Sequence, residues 1–372
     1  MIIGVPREIK VHEYRVGLVP AGARELVDRG HQVVVQAGAG LGVGLSDQAY
    51  LDVGAEIVDS AADVFEQADM VVKVKEPQPR EIKYIREGQV IFTYLHLAPD
   101  PQLTRSLIER NCVAIACETV TGARGGLPLL APMSEVAGRM AVQVGAHHLE
   151  KEQGGKGVLL SGVPGVLPAN VVIIGGGVSG GNAARMALGQ QARVTVIDND
   201  IAKLDELDRL YGRELDTLYS TADHIEEAVA RADLVIGCVL RPGASAPKLV
   251  TRDMVRKMGN DGVLVDVAID QGGCFETSRP TTHADPVYEE EGCIHYCVTN
   301  MPGAVARTST FALTNATIRF VLDIAEKGYR RALAEDPHLR DGLNLAFGKV
   351  THKGVAHSLE HHFTAPQEAL GL

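Results

Sequence analysis

Short apolar runs alternate with more polar stretches along most of the chain. In the first half, the apolar runs are too short for helices and predict strands. These strands cover residues 2–5, 32–35, 70–75, 89–94 and 112–116. The stretches between them predict helices over 21–29 and 101–109, the first of which ends at Gly30. Strands that alternate with helices are typical of a parallel sheet covered by helices.

A second series of the same kind follows. It opens with a helix near 134–151, with Ser134 as its N-cap, and continues with strands at 171–174, 193–197, 234–238 and 263–267. A long helical pattern covers about 310–333. We therefore predict an α/β fold of two Rossmann-like domains with parallel sheets and a cleft between them. Residues 1–128 plus 307–372 would form one domain and residues 129–306 the other.

A glycine turn in the second series carries the most specific chemistry. The strand at 171–174 leads into Gly175, Gly177 and Gly180, spaced G-x-G-x-x-G, with small residues after them that open a helix. Glycines at these points permit a tight turn, close approach of a pyrophosphate and close helix packing. The helix N-terminus attracts phosphate. Asp198, at the end of the next strand, would accept ribose hydroxyls and repel a 2′-phosphate, which favours NAD over NADP.

Composition narrows the protein class. The chain has 372 residues, is 45% hydrophobic and 22% charged, and carries a formal net charge of -11 without a basic block. We expect no nucleic-acid or membrane partner. Its opening residues lack the basic region and apolar core of a signal peptide. The six cysteines are expected to be buried, reduced thiols, so we expect a cytoplasmic protein.

Two cationic candidates follow predicted strands of the first half, where ligands gather in open α/β sheets. Arg15 lies in the loop after the first strand, and its guanidinium matches a carboxylate, although it could equally be a surface residue paired with Glu13. Lys73 and Lys75 fall on one face of the predicted strand 70–75. The Lys75 ammonium could bind an anion or polarise a carbonyl, or the two lysines could be a solvated pair.

Two further candidates suit proton transfer. His96 ends the predicted strand that includes Tyr94, and an imidazole titrates near neutral pH, although most lone histidines are structural. Asp270 ends the run that contains Asp266, with Gln271 and two glycines after it. A carboxylate there could orient water or an ammonium group beside a nicotinamide, or could simply cap the loop.

Taken together, these residues resemble the alanine dehydrogenase family, which includes the nucleotide-binding subunit of proton-translocating transhydrogenase. The resemblance spans nearly the whole chain and rests on several long motifs in the same order. These motifs lie at 4–10, around Arg15, and at 73–77, 94–96, 175–180, 267–273 and 300–305.

The resemblance implies reversible oxidative deamination of L-alanine by NAD to pyruvate and ammonium, and a homo-oligomer, a hexamer. It implies that Arg15 and Lys75 bind substrate and that His96 and Asp270 are catalytic. It further implies a set of cofactor-binding residues around the glycine turn. That set is Ser134, Gly175, Gly177, Val178, Ser179, Gly180, Asp198, Lys203, Ser220, Val239, Leu240, Val267, Ala268, Ile269, Asp270, Arg279, Val298, Thr299, Asn300 and Met301.

Metal binding is not predicted. Some family members hold magnesium with a glutamate matching Glu118 and a histidine near the tail, but this chain has Lys327 where that histidine is expected. Cys293 and Cys297 lack a matching pair to complete a zinc site. His357 and His361 have the spacing of a helical metal pair but no evident third ligand.

Three alternatives remain open from sequence. A transhydrogenase subunit would couple to a membrane partner, but the Arg-Gln-Asp loop expected of that subunit is not found. A saccharopine-type dehydrogenase would use lysine and 2-oxoglutarate. A non-catalytic NAD-binding protein would bind cofactor without turnover. The choice among small 2-oxo acids depends on the volume of the pocket, since one methyl group is worth only about 1–3 kcal/mol.

Overall fold

Two α/β units make up the structure, a computed structural model that describes residues 1–239, 246–259 and 261–371. The first unit consists of Met1–Met133 and Val305–Leu372, and the second of Ser134–Ala304. The strands, in chain order, are β1 Ile2–Val5, β2 Gln32–Gln36, β3 Glu56–Val58, β4 Met70–Val72, β5 Val90–Thr93, β6 Val113–Ala116, β7 Asn170–Ile174, β8 Arg193–Asp198, β9 Leu215–Tyr219, β10 Leu234–Gly237, β11 Val263–Asp266, β12 Val287–Glu290, β13 Cys293–Tyr296, β14 Leu343–Ala346 and β15 Lys349–Val350.

Helices connect most of these strands. They are α1 Pro20–Val27, α2 Asp47–Leu51, α3 Ala61–Gln67, α4 Pro79–Ile82, α5 Pro101–Glu109, α6 Ala131–His148, α7 Val178–Gly189, α8 Ile201–Tyr211, α9 Ala222–Ala230, α10 Arg252–Met258, α11 Ala306–Lys327, α12 Tyr329–Glu335, α13 Pro337–Arg340, α14 Lys353–Ser358 and α15 Pro366–Leu370.

The sheet of the first unit has the order β15-β14-β6-β5-β4-β1-β2-β3. Strands β1 to β6 pair in parallel, whereas β14 pairs antiparallel with β6 and with β15. Their buried side chains form the core, with Phe65, Ile91 and Leu107 fully covered. Because β1, β4 and β5 are parallel neighbours, the loops that follow them leave the same edge of this sheet.

The sheet of the second unit has the order β12-β13-β11-β10-β7-β8-β9. All its pairings are parallel except that of β12 with β13. The predicted pair of α/β domains is therefore confirmed, but the sheets are mixed at one edge. The sequence analysis missed these antiparallel strands because they are short and lack a continuous apolar run.

Four predicted strands end earlier than expected, and three of them precede candidate substrate-binding or catalytic residues. Strand β4 ends at Val72, β5 at Thr93 and β11 at Asp266. Lys75, His96 and Asp270 therefore lie in the connections beyond the strands, and the expected alternation of Lys73 and Lys75 on one strand face is wrong. The apolar runs extend beyond the ends of the strands because the connections that follow are also buried and contain apolar residues.

Two helix boundaries also differ. Helix α6 begins at Ala131, so Ser134 lies inside its first turn and is not its N-cap. Pro132 suits this start because the first turn needs no N–H from it. The pattern at 310–333 is two helices, since Gly328 has φ 75° and separates α11 from α12. Among the described residues, no helix has the length and apolarity needed to cross a membrane.

Candidate active site

Arg15 is buried in the loop between β1 and α1. It is 2% exposed, and its Nε and Nη2 atoms donate to the two carboxylate oxygens of Glu13, both at 2.6 Å. Although burial opposes charge, the hydrogen bonds and charge of Glu13 raise the pKa of Arg15. The predicted pairing with Glu13 exists, but at a buried position and not on the surface. Glu13 thereby orients the guanidinium, and Arg15 Nη1 also donates to Met133 Sδ at 3.0 Å.

A buried charge cluster fixes the segment that carries Lys75. Lys73 Nζ lies 3.2 Å from Glu8 Oε2 and 2.9 Å from Glu81 Oε1, and all three side chains are nearly inaccessible. Glu8 Oε1 also accepts the backbone N–H groups of Val74 at 2.7 Å and Lys75 at 3.3 Å. Burial raises the pKa of Glu8 despite the charge of Lys73. Lys73 is therefore structural, while the half-buried Lys75 stands on a backbone that Glu8 holds.

His96 projects from the connection after β5. Its side chain is 44% exposed, and its ring stacks on Tyr94 with centroids 6.1 Å apart. Glu118, in a 3₁₀ turn directly after β6, accepts the backbone N–H of His96 at 2.6 Å. His96 Nδ1 lies 3.9 Å from Glu118 Oε1. An exposed imidazole with a fixed backbone is suited to proton exchange with a bound substrate.

These three predicted residues of the first unit come together through shared neighbours. The charge of Lys75 lowers the pKa of Glu13, after burial and the stronger effect of Arg15. Tyr94 is buried within reach of the charges of both Arg15 and Glu118, and burial raises its pKa. The sequence did not indicate Glu8, the burial of Glu13, or that Glu118 binds backbone. Glu8 and Glu118 bind the connections that follow β4 and β5, and only the fold reveals those pairings.

The glycine turn lies between β7 and α7 of the second unit. Gly175 has φ 98°, a conformation that disfavours a side chain. A Cβ atom on Gly180 would lie 1.7 Å from the Gly175 carbonyl oxygen, whereas one on Gly177 would meet nothing within 4 Å. The turn is thus tightly packed at Gly180 and open at Gly177. It lies beside the N-terminus of α7, a helix 12 residues long. This geometry fits a dinucleotide pyrophosphate.

Asp198 is the last residue of β8 and touches the turn directly. Its Oδ2 accepts the backbone N–H of Gly176 at 2.6 Å, and its Oδ1 accepts that of Asp200 at 2.8 Å. A carboxylate oxygen has two lone pairs, so each can accept another hydrogen bond. The side chain is therefore fixed beside the turn with the chemistry to accept ribose hydroxyls.

The other residues expected to bind cofactor follow the parallel strands of the second sheet or line the turn. Ser134 lies in α6, and its carbonyl oxygen accepts the Ser179 hydroxyl at 3.0 Å. Lys203 is in α8, where it pairs with Glu206 at 2.5 Å. Leu240 lies outside the described residues. The remainder are Val178 at the start of α7, Ser220 after β9, Val239 after β10, 267–270 after β11 and 298–301 after β13.

Asp270 is exposed in a 3₁₀ turn, Ile269–Gln271, above a buried carboxylate. That carboxylate belongs to Asp266, which is 0% exposed and accepts the backbone N–H groups of Ala268 at 3.0 Å and Cys274 at 2.9 Å. Burial raises the pKa of Asp266 against these hydrogen bonds. Asp266 thus binds the backbone of the loop that carries Asp270, a role that was not predicted, although a carboxylate inside an apolar run is a signal for a buried polar contact.

Arg279 lies over an aromatic stack in the same unit. Its guanidinium carbon is 3.8 Å from the centroid of the Tyr288 ring, and its backbone N–H donates to the Tyr288 hydroxyl at 2.8 Å. Tyr288 in turn stacks on the buried His295 ring at 5.0 Å. The exposed guanidinium is thereby given a preferred orientation.

The donor set for the family's magnesium does not fit. Lys327 replaces the expected histidine, and its ammonium pairs with Asp323 at 3.1 Å and Glu335 at 3.3 Å. Within the described ranges, no group of three or more His, Cys, Asp or Glu side chains is arranged to hold a metal. Helix α14 ends at Ser358, so His357 and His361 do not form the helical pair that their spacing predicted.

Known protein families match the sequence of both units. The N-terminal domain of the Alanine dehydrogenase/PNT family matches residues 4–137, and its C-terminal domain matches residues 141–353. An alanine dehydrogenase of Halomonas elongata is 58% identical over 371 residues, covering 100% of both chains.

Two solved structures extend the comparison. An L-alanine dehydrogenase structure superimposes with a TM-score of 0.93 at 49% identity, over 97% of this chain and 99% of that one. A transhydrogenase from Sinorhizobium meliloti gives a TM-score of 0.81 at 26% identity, over 94% of this chain and 100% of that one. The resemblance inferred from the sequence motifs is thus confirmed, and the chain belongs to the Alanine dehydrogenase/PNT family.

Proposed function

We propose that this protein is an NAD-dependent amino-acid dehydrogenase that interconverts L-alanine and pyruvate. In the forward direction, L-alanine, NAD⁺ and water give pyruvate, ammonium, NADH and a proton. Names of full-length relatives favour this activity over the alternatives, since alanine dehydrogenases are 58% and 54% identical while the transhydrogenase structure is 26% identical.

One observation carries the assignment of roles. At one edge of the first sheet, a buried guanidinium, a half-buried ammonium and an exposed imidazole follow three neighbouring parallel strands. A small 2-oxo acid presents a carboxylate and a carbonyl, which need a fixed cation and a hydrogen-bond donor. The proposed domain roles follow: the first unit binds substrate and the second unit binds cofactor.

Each side chain has a distinct task in this proposal. Arg15 binds the substrate carboxylate, and Glu13 keeps the guanidinium oriented. Lys75 donates to the carbonyl oxygen and stabilises negative charge that develops there. His96 exchanges the proton that moves when water adds to the imine carbon and when ammonia leaves. Asp270 is proposed as the second catalytic residue, whose carboxylate would orient the ammonium group.

The cofactor proposal rests on the glycine turn and Asp198. A bound nicotinamide dinucleotide supplies the acceptor or donor of hydride. The turn and the N-terminus of α7 hold the pyrophosphate, and the Asp198 carboxylate accepts the ribose hydroxyls and repels a 2′-phosphate. The other proposed contacts are those that follow the second sheet. Replacing Asp198 with serine should therefore reduce the preference for NADH over NADPH.

A single assay tests the function. Purified protein is given NADH and a panel of 2-oxo acids with either ammonium or lysine, or NADH and an oxidised NADP analogue, and NADH oxidation is followed with no membrane present. Turnover with pyruvate is expected. Turnover only with 2-oxoglutarate and lysine would favour a saccharopine-type enzyme. Hydride transfer only to an oxidised NADP analogue would favour a transhydrogenase subunit. Cofactor binding without any turnover would favour a non-catalytic NAD-binding protein.

We also propose a cytoplasmic homo-oligomer, a hexamer. An irregular loop of the second unit exposes apolar side chains, namely Leu159, Val163, Val166 and Leu167, each more than half exposed. Such a cluster is typical of a surface that another copy covers. Light scattering should give a hexameric mass, and Val163→Lys with Leu167→Lys should lower it; a monomeric wild-type protein would contradict the proposal. The six cysteines are all buried thiols, as suits a reducing compartment.

A further inference from the structure

Glu118 binds the backbone that carries the proposed catalytic histidine. Its carboxylate oxygens lie 3.1 and 3.2 Å from the backbone nitrogen of Leu95, and Oε1 lies 2.6 Å from that of His96. Two successive N–H groups therefore point at one anion. The Glu118 side chain is only 13% exposed, so little solvent competes for these hydrogen bonds.

This arrangement requires the chain to leave the strand conformation after β5. Consecutive N–H groups of an extended strand point to opposite sides, so those of Leu95 and His96 converge only because the torsions of Leu95, which lie between them, are not those of a strand. His96 follows with φ 48°, in the left-handed region that disfavours residues other than glycine, so the chain stays irregular there. The carboxylate stabilises this irregular segment through two charge-assisted hydrogen bonds.

The local fold explains why these two residues meet. Strands β5 and β6 are parallel neighbours, with Thr93 opposite Ala116 at their carboxyl ends. His96 and Glu118 each lie shortly beyond those ends. The conformation of His96 is thus set from the adjacent strand, and its ring is held on Tyr94 at the edge that also carries Arg15 and Lys75.

We propose that Glu118 is a positioning residue for His96 and that it acts in this chain through the His96 backbone, not as a metal ligand. This inference rests on the proposed function, because it assumes that His96 transfers protons during turnover. The Glu118 carboxylate accepts the backbone N–H groups of Leu95 and His96, and the histidine expected to share a metal with it is replaced by Lys327, which pairs with Asp323.

The first test replaces Glu118 with glutamine. The amide keeps the size of the side chain but loses the negative charge and one acceptor, so the His96 backbone can relax. We expect kcat for pyruvate amination to fall about 10- to 100-fold, as small displacements of reacting groups do. The KM for NADH should be unchanged, because the proposed cofactor contacts lie in the second unit.

Asp69→Asn is the matched control. The Asp69 carboxylate also accepts a backbone N–H, that of Ile2 at 2.8 Å, but at the amino end of β1. This variant should keep wild-type kcat. Equal kcat loss in both variants would show that any such change in the first unit impairs the enzyme, and an unchanged kcat in Glu118→Gln would overturn the proposal.

A double-mutant cycle separates positioning from other roles. If Glu118 acts only through His96, Glu118→Gln should cause no further loss of kcat in a His96→Ala background. A loss there as large as in the wild-type background would refute the proposal. Activity that chelator abolishes, and that Mg²⁺ restores only when Glu118 is present, would make Glu118 a metal ligand instead.

A structural readout distinguishes failure of this inference from failure of the proposed function. If the wild-type protein does not turn over pyruvate, the function is wrong, and the positioning role of Glu118 is judged from a crystal structure of Glu118→Gln. We expect the backbone nitrogen and the ring of His96 to be displaced in that variant. A His96 backbone and ring that keep the wild-type position without the carboxylate would overturn the positioning role, whatever the reaction.

Discussion

The two units hold their functional groups by different means. In the first, buried carboxylates orient cations and backbone: Glu13 holds Arg15, Glu8 holds the Lys75 segment, and Glu118 holds His96. In the second, carboxylates also bind backbone, with Asp198 at Gly176 and Asp266 at Ala268, but the glycine turn depends in addition on close backbone packing at Gly180. The first arrangement orients individual side chains for a small anionic substrate. The second leaves an open backbone surface for a long ligand.

This difference has an energetic consequence. A buried carboxylate that loses its partner remains a costly uncompensated charge, so the first site should respond sharply to changes of charge. The glycine turn contains no charge pair of that kind, and it should respond to added volume. A variant that changes only charge should therefore impair the first site, and a variant that only adds volume should impair the glycine turn.

The largest effect on turnover is expected for His96→Ala. Loss of a general acid–base group typically reduces the rate about 10²- to 10⁴-fold. We expect this loss in kcat for pyruvate amination, with NADH binding intact when measured by cofactor fluorescence. Wild-type-like kcat would remove His96 from the mechanism, and loss of NADH binding would contradict the separation of the two sites.

Added volume should break the second site. The Cβ of Gly180→Ala would meet the Gly175 carbonyl oxygen, so the turn must open. Overpacking typically costs about 1–3 kcal/mol, and we expect at least that loss of unfolding free energy together with lost NADH affinity. Gly189→Ala is the control in the same helix, since its Cβ would meet nothing within 4 Å. Equal NADH affinity in the two variants would refute the packing argument.

Sequence reasoning was strong where local pattern sufficed. The apolar runs located β1 and β7, and helix α5 has the predicted bounds Pro101–Glu109. The glycine spacing located the turn before α7. These features depend on residues close together in the chain, so their signals are readable without the fold.

Contacts between distant residues were beyond the same reasoning. Glu8 accepts the backbone N–H of Val74, which is 66 positions away in the sequence. Glu118 accepts that of His96 across a separation of 22 positions. No pattern in the neighbouring sequence indicates which carboxylate will be buried against which backbone segment. Ser134 shows the opposite error, since a good N-cap residue lies within α6 when Pro132 permits an earlier start.

Acid should destabilise the second unit through a buried histidine, His295. Burial lowers the pKa of His295 from 6.5 to about 4. Above pH 6.5 the ring is neutral in the folded and the unfolded chain. As pH falls toward 4, only the unfolded chain gains the proton, so up to about 3 kcal/mol of stability is lost. In the first unit, Arg15 lowers the pKa of Glu13 against burial, so the contribution of that carboxylate persists until the pH falls below 4.5.

The measurement is unfolding free energy against pH for wild type and His295→Gln. Because the raised pKa values of Glu8 and Asp266 act in the opposite sense, the difference between the two proteins isolates His295. The wild type should lose more stability between pH 6.5 and 4 than the variant. His357→Gln, at an exposed histidine, is the control and should follow the wild type. Parallel curves for wild type and His295→Gln would contradict the prediction.

The smallest effect tests whether the second unit orients any side chain as the first unit does. Arg279 rests on the Tyr288 ring at 3.8 Å, and a cation–π contact at an exposed site is worth about 0.5–1 kcal/mol. Tyr288→Leu should therefore raise the KM for NADH about 2- to 5-fold while kcat stays near wild type. Tyr288→Phe keeps the ring but loses the hydroxyl that accepts the Arg279 N–H, so it should retain most of the affinity. If Tyr288→Phe weakens NADH as much as Tyr288→Leu, the backbone hydrogen bond and not the ring orients Arg279. An unchanged KM in both variants would show that the orientation of Arg279 by Tyr288 does not contribute to NADH binding.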